Sequence, residues 1–159
     1  MAGKILTTQD AIKVAQNIRK QNKKIVLAGG CFDILHVGHI VFLKEAKKRG
    51  DTLFLLLESD ASVKKRKGKE RPVNPQEIRA RALLSLNTVD YIIALSGMTK
   101  DDQYDRIIIQ IKPDVIAQTE GDPNSAQRLR QCKMIGAKLA IVTKIIGDMS
   151  TTKLLKNKI

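Results

Sequence analysis

The chain has 159 residues, 43% of them hydrophobic and 28% charged, which leaves room for one soluble domain around a single core. No apolar run approaches the roughly 20 residues of a membrane span, and Met1 to Asp10 carries no apolar leader region, so the expected location is the cytoplasm, away from the membrane. A net charge of +13, from 29 Lys+Arg against 16 Asp+Glu, draws polyanions of any kind, but aromatics at 3% without basic-aromatic interleaving argue against specific nucleic-acid binding.

Along the chain, Ala11, Ile12, Val14, Ala15 and Ile18 fall at helical spacing and predict a leading helix over Thr8 to Asn22. Residues 1–23 are therefore set apart as a helical extension of a core spanning 24–159. Lys24 to Ala28 reads as a buried strand ending in Gly29-Gly30, followed by a helix from Gly38 to Arg49 that Gly50 closes. Thr52 to Leu57 is a strand apolar on both faces, as parallel strands are. Glu58 to Asn74 reads as a polar, basic loop carrying Lys64-Lys65-Arg66-Lys67. Pro75 opens a helix that runs to Leu86. A strand over Val89 to Leu95, a helix over Asp101 to Ile111, a strand over Asp114 to Gln118, a helix over Ser125 to Ile135 and a strand over Lys138 to Val142 follow. A short helix over Ser150 to Lys158 ends the chain. This alternation predicts an α/β fold: one Rossmann-like, doubly wound, mostly parallel sheet of five strands with helices on both faces. Ligands of such sheets bind beyond the carboxyl ends of the strands, where strand order reverses.

The chemistry concentrates there. Gly29 and Gly30 let backbone amides approach a phosphate, and the following helix N-terminus adds partial positive charge. The segment is neither a G-x-G-x-x-G fingerprint nor a P-loop. The only two histidines, His36 and His39, lie three residues apart with Gly38 between them. Two imidazoles on one turn can donate to oxygens that gain charge in a phosphoryl transition state. Cys31 and Cys132 are too far apart to form a metal-ligand pattern, and no disulfide is expected. A zinc site would want more ligands than the two histidines, and Cys31 and Asp33 could in principle supply them, but no protein-only metal site is expected. Cys31 is either a reactive thiol or a small packed residue, and Asp33 either caps the helix or organises the site. Both pairs of readings stay open.

The run from Gly30 to His39, G-x-F-D-x-x-H-x-G-H, resembles the signature of the cytidylyltransferase-like nucleotidyltransferase superfamily, and Met149-Ser150-Thr151-Thr152-Lys153-Leu154-Leu155 resembles its second signature, I-S-T-T-x-I-I. The resemblance implies that an oxygen of the acceptor's phosphate attacks the nucleotide α-phosphorus in line, with pyrophosphate leaving and no covalent enzyme intermediate. It implies catalytic roles for His36 and His39 and a clamp from the basic run, with Lys64 assigned to catalysis and Lys67 to the triphosphate. Gly29, Gly30, Cys31, Phe32 and Gly38 would line the nucleotide, Phe32 being mostly core. Ser150, Thr151 and Thr152 would hold the triphosphate or its leaving group, and Mg²⁺ would accompany it. Arg79 matches a position that holds the acceptor's phosphate; Asp33 and Asp60 join it in the acceptor set. Relatives also suggest a homodimer, with which the apolar run Ile107-Ile108-Ile109 is compatible.

The match extends to one branch. Ser59-Asp60-Ala61-Ser62-Val63-Lys64 and Arg71-Pro72-Val73-Asn74-Pro75-Gln76-Glu77-Ile78-Arg79 resemble the adenylyltransferases acting on heptose 1-phosphate. This implies transfer of AMP from ATP to a sugar phosphate. Two departures bear on the substrate. Gly29 stands where that branch has asparagine, and Ala117 to Pro123, including Thr119, Gly121 and Asp122 beside the expected base, replaces its V-K-G-G-D-Y. Glycerol-3-phosphate cytidylyltransferases share both signatures but carry an arginine where this chain has Asn87. Archaeal-type FAD synthetases, which adenylylate FMN, share the basic run and the R-P-V-x-P segment. A silent nucleotide-binding module is the non-enzymatic alternative.

Overall fold

The computed structural model describes residues 3–98 and 100–144. Six strands form one parallel sheet: β1 (Lys4–Leu6), β2 (Ile25–Gly30), β3 (Thr52–Leu57), β4 (Tyr91–Ala94), β5 (Val115–Thr119) and β6 (Lys138–Thr143), in the order β1-β4-β3-β2-β5-β6. Five strands were expected. The additional one, β1, is a three-residue edge strand pairing Lys4 to Leu6 with Tyr91 to Ile93. It is too short for alternation to show in sequence, and it ties the leading extension into the sheet.

The helices are α1 (Thr8–Lys20), α2 (Val37–Lys47), α3 (Asp60–Lys67), α4 (Gln76–Leu84), α5 (Asp101–Ile111) and α6 (Ser125–Ile135). Strand alternation sorts them onto two faces. Ile25 and Leu27 of β2, with Phe54 and Leu56 of β3, pack among Ala11, Ala15 and Ile18 of α1, Ile107, Ile108 and Ile111 of α5, and Cys132 of α6. Val26 and Ala28, with Leu53, Leu55 and Leu57, pack against Phe42, Leu43 and Ala46 of α2 and Ala80 and Leu83 of α4. All six β3 residues are buried, each large aliphatic side chain contributing roughly 1.5–3 kcal/mol by leaving water. Ile107 and Ile108 serve this core, whereas Ile109 is 48% exposed.

One stretch departs from expectation. Residues 60–67, expected within a loop, form α3. Ser59 caps it, its Oγ accepting the Ser62 amide at 3.1 Å. Asp60 stands in the first turn and Lys64, Lys65, Arg66 and Lys67 in the last, both placements complementing the helix dipole. The basic run that suggested a solvated loop is what suits a helix C-terminus. The expected terminal helix, with Ser150, Thr151 and Thr152, lies outside the described residues.

The chain runs outward from β2 through β3 to β4, then crosses back to place β5 on the other side of β2. The reversal opens a cleft of about 790 Å³ beyond the carboxyl ends of β2 and β5.

Candidate active site at the switch point

The cleft begins where β2 ends. A Cβ on Gly30 would stand 2.8 Å from the Phe32 ring, so glycine is required there, whereas one on Gly29 would make ordinary contacts of 3.5 Å with Leu56. Phe32 turns the chain with φ 47° and packs its ring 5.0 Å from that of His39. His36 then caps α2.

The two histidines hold each other in place. His36 Nδ1 accepts the Gly38 amide at 3.1 Å, and His39 Nδ1 accepts the His36 amide at 3.3 Å. Their rings stack with centroids 3.8 Å apart. A nitrogen that accepts a backbone N–H carries no proton, so each neutral ring bears its proton on Nε2. Burial lowers the His36 pKa; burial, with His36 stacked alongside, lowers His39 from 6.5 to about 4. Both rings line the cleft as neutral Nε2–H donors beside the positive end of α2. Gly38 acts here through its amide, which sets the His36 ring.

Asp33 does not cap α2, since His36 holds that position. Its buried carboxylate accepts Arg71 Nε at 2.8 Å and the amides of Val73 and Asn74 at 2.8 and 2.9 Å, strapping 71–74 against the motif. Burial pushes its pKa up, but those amides and the Arg71 guanidinium outweigh it and lower the pKa overall. Arg79, 1% exposed, donates to the carbonyls of Asn74, Cys31 and Glu58 and to Asp60 Oδ1. It joins the motif, the end of β3, α3 and α4 into one wall, and neither Arg79 nor Asp60 lines the cleft. Burial, with Glu58 nearby, raises the Cys31 thiol pKa, which disfavours the reactive-thiol reading.

Of the basic run, Arg66 and Lys67 reach the cleft; Lys64 is exposed outside it. Thr119 and Asp122 line it and Gly121, at φ 74°, turns the chain between them. Several lining residues carried no sequence signal: Glu58, Asp101, Tyr104, Gln127 and Arg128; Arg71 stood in a branch-like segment but was assigned no role. Arg128 pairs with Asp122 and Asn124 donates its amide to the same carboxylate at 2.8 Å. Burial, together with the hydrogen bond to Glu58, pushes Tyr104 up to about 12. Among the described residues no group of three or more His, Cys, Asp or Glu could hold a metal ion, and no helix is long and apolar enough to cross a membrane.

One cleft at the switch point of a doubly wound parallel sheet thus gathers two imidazole donors from the N-terminus of α2 and Arg66 and Lys67 from the end of α3. Residues 27–156 match the cytidylyltransferase-like family, and the chain belongs to it. The bifunctional protein HldE of Aliarcobacter butzleri (strain RM4018) is 41% identical over 152 residues, covering 96% of this chain and 30% of that protein. HldE of a Nitratiruptor species is 46% identical over 103 residues, 65% of this chain and 21% of that protein. The chain thus spans less than a third of these relatives' length. Among solved structures, the lipopolysaccharide core biosynthesis protein of Thermoplasma volcanium GSS1 matches with TM-score 0.61 and 28% identity over 78% of this chain and 97% of that one. Pantoate-beta-alanine ligase of Francisella tularensis matches in fold, with TM-score 0.69 and 17% identity over 97% of this chain and 73% of that one.

Proposed function

We propose that this domain transfers AMP from ATP to a sugar phosphate of the heptose 1-phosphate kind, releasing pyrophosphate. The observation that carries the reading is the histidine pair: both Nδ1 atoms are occupied by backbone amides, which leaves two Nε2–H donors at the switch point. An oxygen of the acceptor's phosphate attacks the α-phosphorus, the bond to the bridging oxygen of the β-phosphate breaks, and pyrophosphate leaves with that electron pair. His36 and His39 donate to the α-phosphate oxygens as charge gathers there, and because both are neutral they do so without giving up a proton. Lys67, at the end of α3, draws in the β- and γ-phosphates. The Ser150-Thr151-Thr152 run, outside the described residues, is assigned to the triphosphate by its resemblance to the family's second signature. Asp33, Asp60 and Arg79 shape the acceptor wall from behind.

Magnesium enters as the triphosphate's counter-ion, as part of the substrate. Of the carboxylates at the cleft, Asp33 is paired with Arg71 and Asp122 with Arg128, so the phosphates themselves and water are the oxygen ligands this reading gives the ion. The choice of sugar phosphate leans on the likeness to the HldE proteins and on the branch-specific segments around Ser59 and Arg71. FMN is the second acceptor to test, on the basic run and the R-P-V-x-P segment that the chain shares with FAD synthetases.

Pyrophosphate release, measured with ATP or CTP against heptose 1-phosphate, glycerol 3-phosphate and FMN, tests the reading. Turnover is expected with ATP and the sugar phosphate, and His39→Ala should lower kcat by about 10²–10³-fold. Turnover in none of the six pairings would refute transfer, and tight nucleotide binding without it would identify a silent module.

A further inference from the structure

A carboxylate in a phosphate-binding cleft needs a reason. Glu58, the first residue beyond β3, lines the cleft at 6% exposure, and its amide is fixed to the Gly30 carbonyl at 3.1 Å. Removing a carboxylate from water costs several kcal/mol unless donors replace the solvent. Asp33 meets that demand with three hydrogen bonds. Glu58 does not. Tyr104 Oη donates to Oε2 at 2.8 Å, and Oε1 faces Arg66 Nη2 at 3.5 Å, beyond hydrogen-bonding distance. Arg66 is itself 45% exposed and is drawn at 3.2 Å to the Tyr104 hydroxyl. Among the described residues, Glu58 Oε1 therefore keeps acceptor capacity, and the residue lines the cleft.

The occupant has to satisfy two groups at once. A phosphate oxygen at Glu58 would be repelled, whereas a hydroxyl donates to a carboxylate well. Arg66, a few ångströms away, takes an anion. When an anion engages Arg66, the weak pairing with Glu58 is loosened, and the buried carboxylate then needs a new donor nearby.

We propose that Glu58, braced by Tyr104, is the acceptor-specificity group of this site and that it accepts a hydroxyl lying next to the acceptor's phosphate-bearing carbon. The ligand class is a polyhydroxylated phosphate ester, which rests on the transferase reading above and deepens it. Tyr104 holds Oε2 of Glu58, so the carboxylate is presented in one direction and distinguishes a vicinal hydroxyl from a bare methylene.

Steady-state kinetics on the full chain with ATP and heptose 1-phosphate test this, beside an analogue lacking the hydroxyl next to the anomeric carbon. Glu58→Gln keeps the shape and a partner for Tyr104 but gives up the charge. It should raise the acceptor KM ~10-fold, the difference between a charged and a neutral hydrogen bond, with the ATP Kd from calorimetry within about 2-fold by the same bond arithmetic. Tyr104→Phe should move the acceptor KM in the same direction by about 3-fold, since it removes only the brace. The deoxy analogue should cost the wild type about 30-fold and the Glu58→Gln variant only about 3-fold, the worth of the neutral hydrogen bond that glutamine keeps. An unchanged acceptor KM in both variants, an ATP Kd that weakens as much as the acceptor KM, or fully additive losses with the analogue would each overturn the inference. Absence of wild-type turnover with every sugar phosphate would instead bring down the transferase reading on which it rests.

Discussion

Replacing Asp33 by asparagine should cost more stability than any other isosteric change near the cleft. The Asp33 carboxylate is fully shielded from solvent and the Arg71 guanidinium beside it is 8% exposed. Three donors converge on two oxygens. Asparagine offers one oxygen and turns an NH₂ toward the remaining donors, so at least one amide loses its acceptor and Arg71 loses its counter-charge. Breaking a buried pair on one side costs about 3–5 kcal/mol, a large part of the roughly 5–15 kcal/mol that holds a domain together. With an m-value of about 2 kcal/mol per molar urea, a loss of ~4 kcal/mol moves the midpoint down by about 2 M. Urea melts followed by circular dichroism read this directly. The double variant Asp33→Asn with Arg71→Met removes the orphaned charge and should recover part of the loss. The sign with pH follows from the lowered Asp33 pKa. The unfolded carboxyl takes up its proton near 3.8 and the folded one only at lower pH, so the contribution is present above 3.8 and fades as pH falls below it. A loss under about 1 kcal/mol, or no recovery in the double variant, would refute the idea that Asp33 holds the 71–74 strap by charge.

Other expectations follow from single contacts. An NMR titration of the free protein should show His39 changing protonation near pH 4, not near 6.5. Because the unfolded chain binds that proton first, stability should decline as pH falls from 6.5 toward 4, a component that His39→Asn removes. Gly30→Ala should lower stability by about 1–3 kcal/mol, since the new Cβ meets the Phe32 ring at 2.8 Å, while Gly29→Ala should stay within ~0.5 kcal/mol; thermal melts compare the two. Lys67→Ala should weaken ATP binding about 10-fold by calorimetry, and Lys64→Ala, outside the cleft, by less than about 2-fold.

The layered α/β fold was legible because strands buried on both faces, such as β3, read as unbroken apolar runs, and because glycines mark the strand and helix ends around the cleft. The histidine pair was legible because its spacing is local. What escaped were features set by a few residues or by distant partners. β1 is too short to show a period. Capping by Ser59 was outweighed by the polarity of α3. Arg79 was expected to face substrate, but its guanidinium meets carbonyls from 31, 58 and 74, which only the folded chain brings together. Glu58 and Tyr104 are 46 residues apart in sequence, and no local pattern announces their pairing.

The same contacts explain why the motif names the reaction more readily than the acceptor. His36 and His39 are oriented by backbone amides within their own turn, so the spacing that starts α2 also aims the imidazoles, and a short sequence suffices to specify both. The acceptor side has no such self-contained unit. On the proposed reading it is assembled from the end of β3, α3, the 71–74 strap and α5, which join the motif at Asp33 through Arg71, Val73 and Asn74, at the Cys31 carbonyl through Arg79, and at the Gly30 carbonyl through the Glu58 amide. Substitutions anywhere in that assembly can reshape the acceptor pocket without touching a histidine. They also act on a wall bolted to the nucleotide-binding turn, so they change the acceptor while the geometry of attack on the α-phosphate stays in register.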